Sequence, residues 1–395
     1  MVVKVSKPEI NVREKISELD KPSGIAGQAM LAAETPLEQF NLISAGRRNL
    51  FQNGAMTVWQ RGNGPTAATN SNCITADRWK FFTSGSGGAY TTERSAGHLA
   101  ETGHDTALKV VVTTADTSIA GSDYYSFLQR IEAQDVQQLQ YGTNSAKHLT
   151  FSFWVRASKT GTNTVFITKE DSTTWRFVRE FTINSADTWE YKTITFPPLT
   201  ASTGGITNDN GTGLQIGWIL KYGSSYAGAA DEWTTNSRFT TSNAVNNMDT
   251  VGNTFYVTGV QVEVGKVATP FEYRSYGEEL ALCQRYTIVY GGPETRHLGT
   301  GSMYTAANVN FSIHTPVTMR AAPALIKTIN GSGTWLQVYV GSTGNNSNPT
   351  PQLGEGGSTN IFRIYAPGTG LNQSVGSGAW VQVMAGASLE LNADL

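Results

Sequence analysis

Residues 149–157 read LTFSFWVRA. Leu149, Phe151, Phe153 and Val155 share one parity; Thr150, Ser152, Trp154 and Arg156 share the other. Period-2 alternation built from aromatic and β-branched residues predicts a strand with one buried face. The turn residues Lys159, Thr160 and Gly161 follow, and residues 164–168 predict a second strand. Thr188, Trp189, Glu190 and Tyr191 then lead into an alternating run over 192–196, a third strand.

Composition agrees with sheet. The 395 residues include 41 glycines; 15% are charged and 10% aromatic. An average soluble domain carries about 25% charged residues, and a disordered chain is poorer in aromatics. Few charges, many rings and many turn residues predict a mainly β protein of several domains. A net charge of −2 with no basic stripe speaks against nucleic acid as a partner. The chain lacks the run of about 18 apolar residues that membrane insertion by a helix requires. Residues 1–20 carry no apolar core between their charges, unlike a signal peptide. Cys73 and Cys283 lie far apart and predict free thiols in a protein made in a reducing cytoplasm. The five histidines fall into no zinc-ligand spacing.

Residues 1–45 alone read as helix, a short arm. Val12, Ile16 and Leu19 form an apolar stripe, broken by the turn residues 21–24. Thr35, Pro36 and Glu38 set up a capped second helix carrying Leu37 and Phe40. The arm is too short to bury a core of its own, so it must pack on its own β domain, on copies of itself or on another protein. Residues 46–275 predict one large β domain. Its strands are expected at 49–62, 76–81, 107–113, 124–132, 149–157, 164–168, 192–196, 214–220 and 255–264, with a turn of helix at 135–139. Long polar loops lie at 200–213 and 222–250; loops beyond about 12–15 residues are often functional. A short helix over 277–285 opens a smaller domain, 276–395. There Val309, Phe311 and Ile313 point inward, and further strands are expected at 335–340, 360–365, 380–385 and 388–393, with loops at 341–351 and 354–359.

The order of the strand SFWV, a turn, a strand and a tryptophan-led strand resembles the carbohydrate-binding-module type of β-sandwich found in phage tail and fibre proteins. The stretch NLFQNGAMTVWQRG (residues 49–62) resembles its first strand. Residues 10–50 resemble the N-terminal segment of structural proteins of marine, cyanophage-type bacteriophages. The stretch TPFEYRSYGEELALCQRY (269–286) resembles their seam to a distal domain, and MRAAPA (319–324) a strand start common in distal domains. The resemblance implies a jelly-roll-like sandwich, a second small sandwich, an arm that docks to other virion proteins and a homotrimer. Many sandwiches of this type hold a structural calcium, and residues 49–54 and the acidic end of the last sandwich strand are where one would sit, but the sequence supplies no ligand set and no cofactor is assigned.

An enzyme needs a constellation. Glycoside cleavage uses paired carboxylates about 5–9.5 Å apart, and nothing in the spacing of Asp77, Glu132, Asp135, Glu170, Asp171, Asp231, Glu232 and Glu263 singles out a pair. Nucleophile elbows, zincin motifs, phosphate loops and β-helix repeats are all missing. No catalytic residue is therefore expected. Sugar binding needs exposed rings beside amides and hydroxyls. Trp175, Tyr222, Tyr226 and Trp233, the last in a polar loop, are the candidates in the large domain, and Tyr339 in the small one. Trp79, Trp154, Trp189 and Trp218 are expected to pack the core in part. The expected function is a virion protein, most simply a tail fibre meeting host-surface glycans. The alternatives are a head decoration or collar protein with no receptor role and, third, a glycan depolymerase.

Overall fold

The computed structural model describes residues 48–67, 75–85, 87–328, 335–341, 343–347, 352–353, 359–367 and 373–395. The arm, with Val12, Ile16, Leu19, Leu37 and Phe40, lies outside the described residues, as does Cys73.

Two antiparallel sheets face each other over one core. The first runs β1 (Thr66–Ala67), β3 (Ala89–Ala96), β4 (Thr106–Thr114), β11 (Thr254–Val264), β6 (Leu149–Ala157) and β9 (Glu190–Phe196). The second runs β2 (Lys80–Ser84), β5 (Tyr124–Glu132), β10 (Thr212–Tyr222), β7 (Gly161–Lys169) and β8 (Trp175–Ile183). Phe151 and Phe153 from β6 meet Trp218 from β10, each with ring centroids 5.0 Å apart. Trp79, Phe81 and Phe127 complete a fully buried aromatic centre. Each such ring contributes about 1.5–3 kcal/mol on burial.

Three local expectations change. Residues 49–62 form turns rather than a strand. The Asn49 side chain bonds both Val260 O (2.9 Å) and Val262 N (3.0 Å), so it substitutes for a strand partner. Asn53, at φ 54°, donates to Val58 O and Asp77 O and accepts from Thr57 N and Val58 N. Residues 76–79 are likewise turn, and β2 starts at Lys80. Besides the two-residue β1, two long strands of the sandwich lie where none was expected. In β3 only Tyr90 and Thr92 are buried, too little apolar content to announce it. In β8, Phe177, Phe181 and Ile183 face the core between charged neighbours.

A second core, from Ile288 to Ala393, lies between a three-stranded and a seven-stranded sheet. The three-stranded sheet runs β12 (Thr287–Gly291), β21 (Ser388–Asn392) and β15 (Ala324–Thr328). The other runs β17 (Thr343–Ser347), β16 (Leu336–Val340), β20 (Gly378–Val383), β13 (Arg296–Thr305), β14 (Asn308–His314), β19 (Ile361–Pro367) and β18 (Gln352–Leu353). Val309, Phe311 and Ile313 point into this core, as their alternation requires. Residues 343–347, expected as loop, pair with β16 as a hairpin.

The two cores meet at a seam. Helix Tyr276–Gln284 is capped by the Ser275 side chain accepting from Glu278 N. The buried Arg78 guanidinium donates to Asp394 (2.8 Å) and to Arg130 O (2.7 Å), and lies 3.3 Å from the centre of the Tyr286 ring. Arg61 pairs with Glu390 and Asp394, and Arg285 grips Glu132 with two nitrogens at 2.8 and 2.7 Å. Burial alone would raise the Asp394 pKa, but Arg78, Arg61 and Lys80 outweigh it and hold it at about 2. Cys283, on the seam helix, is free and fully buried, and burial pushes its thiol well up.

Candidate functional site

The outward parity of β6 builds an open aromatic surface. Trp154 stands beside Tyr191 of β9 in register, with centroids 5.4 Å apart. One rung further, Glu93, Lys109, Tyr256 and Arg156 stand side by side on β3, β4, β11 and β6. Arg156 lies 5.2 Å and Lys109 5.8 Å from the Tyr256 ring, a cation–π pairing on either side. Trp189, just before β9, closes this row 6.0 Å from Tyr256. Behind the rows, His98 sits 5.2 Å from Trp189, and His104 is stacked 5.3 Å from Tyr273. Tyr191 is 46% and Tyr273 67% exposed, while Trp154, Trp189 and Tyr256 are half-buried.

The face carries little net charge. Lys109 is paired with Glu93 at 2.7 Å. Burial lowers His104 to about 4; burial and Arg156 lower His98. Both imidazoles are therefore neutral at pH 7. Half-open rings interleaved with Thr193 and Arg156 offer apolar faces and hydrogen-bonding groups at one surface, the combination of a small-molecule site.

The sequence-predicted rings are placed differently. Tyr222 is buried, its hydroxyl 2.8 Å from Ser126 Oγ, and has no open ring face. Tyr226 packs against Tyr124, Tyr222 and Phe239. Both belong to a small cluster over the outer face of the five-stranded sheet, which the loop after β10 covers. That loop is tied down through Asp231 N to Val178 O and the Arg176–Thr234 bridge. Trp233, expected as the best sugar platform, packs on the main core, donates its indole N–H to Pro197 O and meets Tyr141 edge-on. Trp175 packs at the core's margin and donates to Thr203 Oγ1. Tyr339 lies flat against Trp380 at 3.8 Å, and His297, on the far side of β20, flanks Trp380 at 4.9 Å. Trp154 and Trp189, expected partly in the core, stand on the open face; the parity of β6 already placed Trp154 outward.

Calcium does not fit the residues the resemblance pointed to. Asn49 Oδ1 accepts from Phe51 N and Val262 N, and Glu263 accepts from Thr269 N, Thr269 Oγ1 and Gln261 Nε2. These oxygens already accept from hydrogen-bond donors. Among the described residues no cluster of three or more His, Cys, Asp or Glu side chains could hold a metal.

No family model and no curated protein matches the chain. Among solved structures, it is similar to one described as "CBM4 structure and function", with 17% identity, 54% of this chain and 97% of that one covered, and a TM-score of 0.29. It is similar to a family 11 carbohydrate-binding module from Clostridium thermocellum in complex with a mixed-linked tetrasaccharide, at 14% identity, 49% and 91% covered and a TM-score of 0.25. It is also similar to the enzymatically active domain of tailspike protein 4 of bacteriophage CBA120, at 12% identity and a TM-score of 0.29, where 56% of this chain spans 22% of the tailspike chain.

Proposed function

We propose that this chain is a non-enzymatic structural protein of a phage virion, a tail fibre that docks by residues 1–45, assembles as a homotrimer and binds host-surface glycans. The observation that carries glycan binding is the pair of aromatic rows on the outer face of the six-stranded sheet. Sugar rings lay their C–H faces on such side chains while neighbouring polar groups take the hydroxyls. The candidate acids support a non-catalytic role, since several are spent on structure. Glu132 is held by Arg285 and Tyr286, Glu170 by Gln215, Asp231 by Arg179, and Asp77 accepts from Gln60. Attachment to a virion is supported by the resemblance of residues 10–50 and 269–286.

The test is adsorption competition: purified protein is added to host cells before phage. Wild type is expected to block adsorption. Tyr191→Ala is expected to weaken cell binding about tenfold, or ~1.4 kcal/mol, with an unchanged melting temperature. A protein that neither binds cells nor blocks phage, but whose deletion of residues 1–45 fails to join virions, is a decoration or collar component. Clearing of polysaccharide that a single Asp or Glu substitution abolishes makes it a depolymerase.

A further inference from the structure

A second surface lies where the two β domains meet. The outer face of the three-stranded sheet turns toward residues 59–66 of the sandwich, leaving a cleft of about 790 Å³ between them. That volume falls inside the ~300–1,000 Å³ typical of ligand pockets, and domain junctions are where such pockets concentrate. Its floor is two cross-strand rungs: Val289, Glu390 and Ile326, then Gly291, Ser388 and Thr328. The opposite side of the same strands sends Ile288, Leu389 and Leu391 into the core.

The charges of the cleft are already matched. Arg61 is held by Glu390 and Asp394, Asp394 by Arg78, and the Lys80 ammonium by the Leu395 carbonyl oxygen. The two cations and two carboxylates lining it cancel, so an ionic ligand would have to break pairs that are largely shielded from water. What remains is apolar and hydroxylic. Ile326 is 45% exposed, and Trp59, half-buried against the sandwich core with its indole N–H spent on Met56 O, lines the cleft with the rest of its ring. The hydroxyls of Thr328 and Ser388 have no partner among the described residues. Gly62, at φ 102°, borders empty space: a Cβ built there would meet nothing within 4 Å.

We infer that this cleft is a binding site for a neutral, hydroxyl-rich ligand, a short uncharged oligosaccharide. It stands apart from the aromatic rows on the six-stranded sheet, and neither site needs the other. The test uses the full chain, titrated calorimetrically and by saturation-transfer NMR with maltotriose, cellotriose and chitotriose. Ile326→Arg and Thr328→Arg place a cation in the cleft from exposed positions, and their melting curves report the fold. The expected result is that at least one trisaccharide binds wild type and Tyr191→Ala alike, and binds both cleft variants at least tenfold more weakly. Three results overturn the proposal: no binding of any of the three sugars, binding indifferent to both cleft variants, or occupancy of the β15 edge by an extended peptide or a second copy of the chain with no sugar binding. Loss of sugar binding in Tyr191→Ala alone removes the cleft but leaves the glycan reading of the aromatic rows standing.

Discussion

Trp233 donates to Pro197 O and packs against Tyr141 and Phe177 at ring distances of 5.8 and 5.4 Å. Trp233→Ala is therefore expected to lower stability by roughly 2–4 kcal/mol and to leave glycan binding at low temperature unchanged. Denaturant melts and cell binding of the same preparation check both halves. The polar neighbours of Trp233 made it look exposed in the sequence, because a loop residue has no periodicity to report which way it faces. Tyr222 fails for a related reason: a shift in the β10–β5 register between Ile219 and Lys221 disturbs the parity count just before it. Trp154, expected partly in the core, stands outside because the alternation of β6 fixes its side of the sheet, a signal that outweighs the general tendency of tryptophan to be buried.

At the level of elements, strands with one clean apolar face could be read from the sequence and those without could not. β5 and β6 coincide with their expected spans, while β3 went unseen for want of apolar residues. The pieces that hold the aromatic face together are also irregular. β11 shifts register between Thr258 and Gln261, and Gly259 sits in the shift at φ 57°. A Cβ there would lie 2.5 Å from His104 Nε2 and 3.0 Å from Trp154 Cδ1, so the glycine makes room for both rings. Packed there, His104 titrates near 4 instead of 6.5 because burial disfavours its charged form. The unfolded chain then binds more protons, so the stabilising contribution is full above about pH 6.5 and lost as pH falls toward 4. That loss amounts to roughly 3 kcal/mol at about 1.36 kcal/mol per unit. Asp77, raised by burial to about 6, runs the opposite way and favours the fold as pH falls from 6 to 4. His104→Gln is expected to remove the His104 share of the acid loss, leaving the smaller part from His98 and the opposing slope from Asp77. Melting temperatures between pH 4 and 7 measure it, and an unchanged slope would refute the assignment.

For the whole molecule, the two β domains and their cores follow from the spacing of strands and turns. The seam does not, because its partners are up to 333 positions apart in the chain, as in Arg61–Asp394. No local pattern announces Arg78 with Asp394 or Arg285 with Glu132. Removing one member of such a pair strands the other charge in a poorly hydrated place, at a cost of about 3–5 kcal/mol. Wild type is expected to unfold in one calorimetric transition at pH 7. Asp394→Asn combined with Glu132→Gln is expected to separate it into two, one for each core. Asp394 has a depressed pKa, so its contribution is present above about pH 4 and is lost as pH falls toward 2. A double variant that still melts in a single step would show that apolar contacts alone join the domains.

Cys283 turns the seam into a clock. Its sulfur is shut in by the same helix and charges that join the domains, and its thiol is held protonated. A thiol reaches a reagent only in molecules whose surroundings have momentarily parted. In a Cys73→Ser background, the speed at which a disulfide reagent labels the chain thus counts how often the two domains come apart, without any attached reporter.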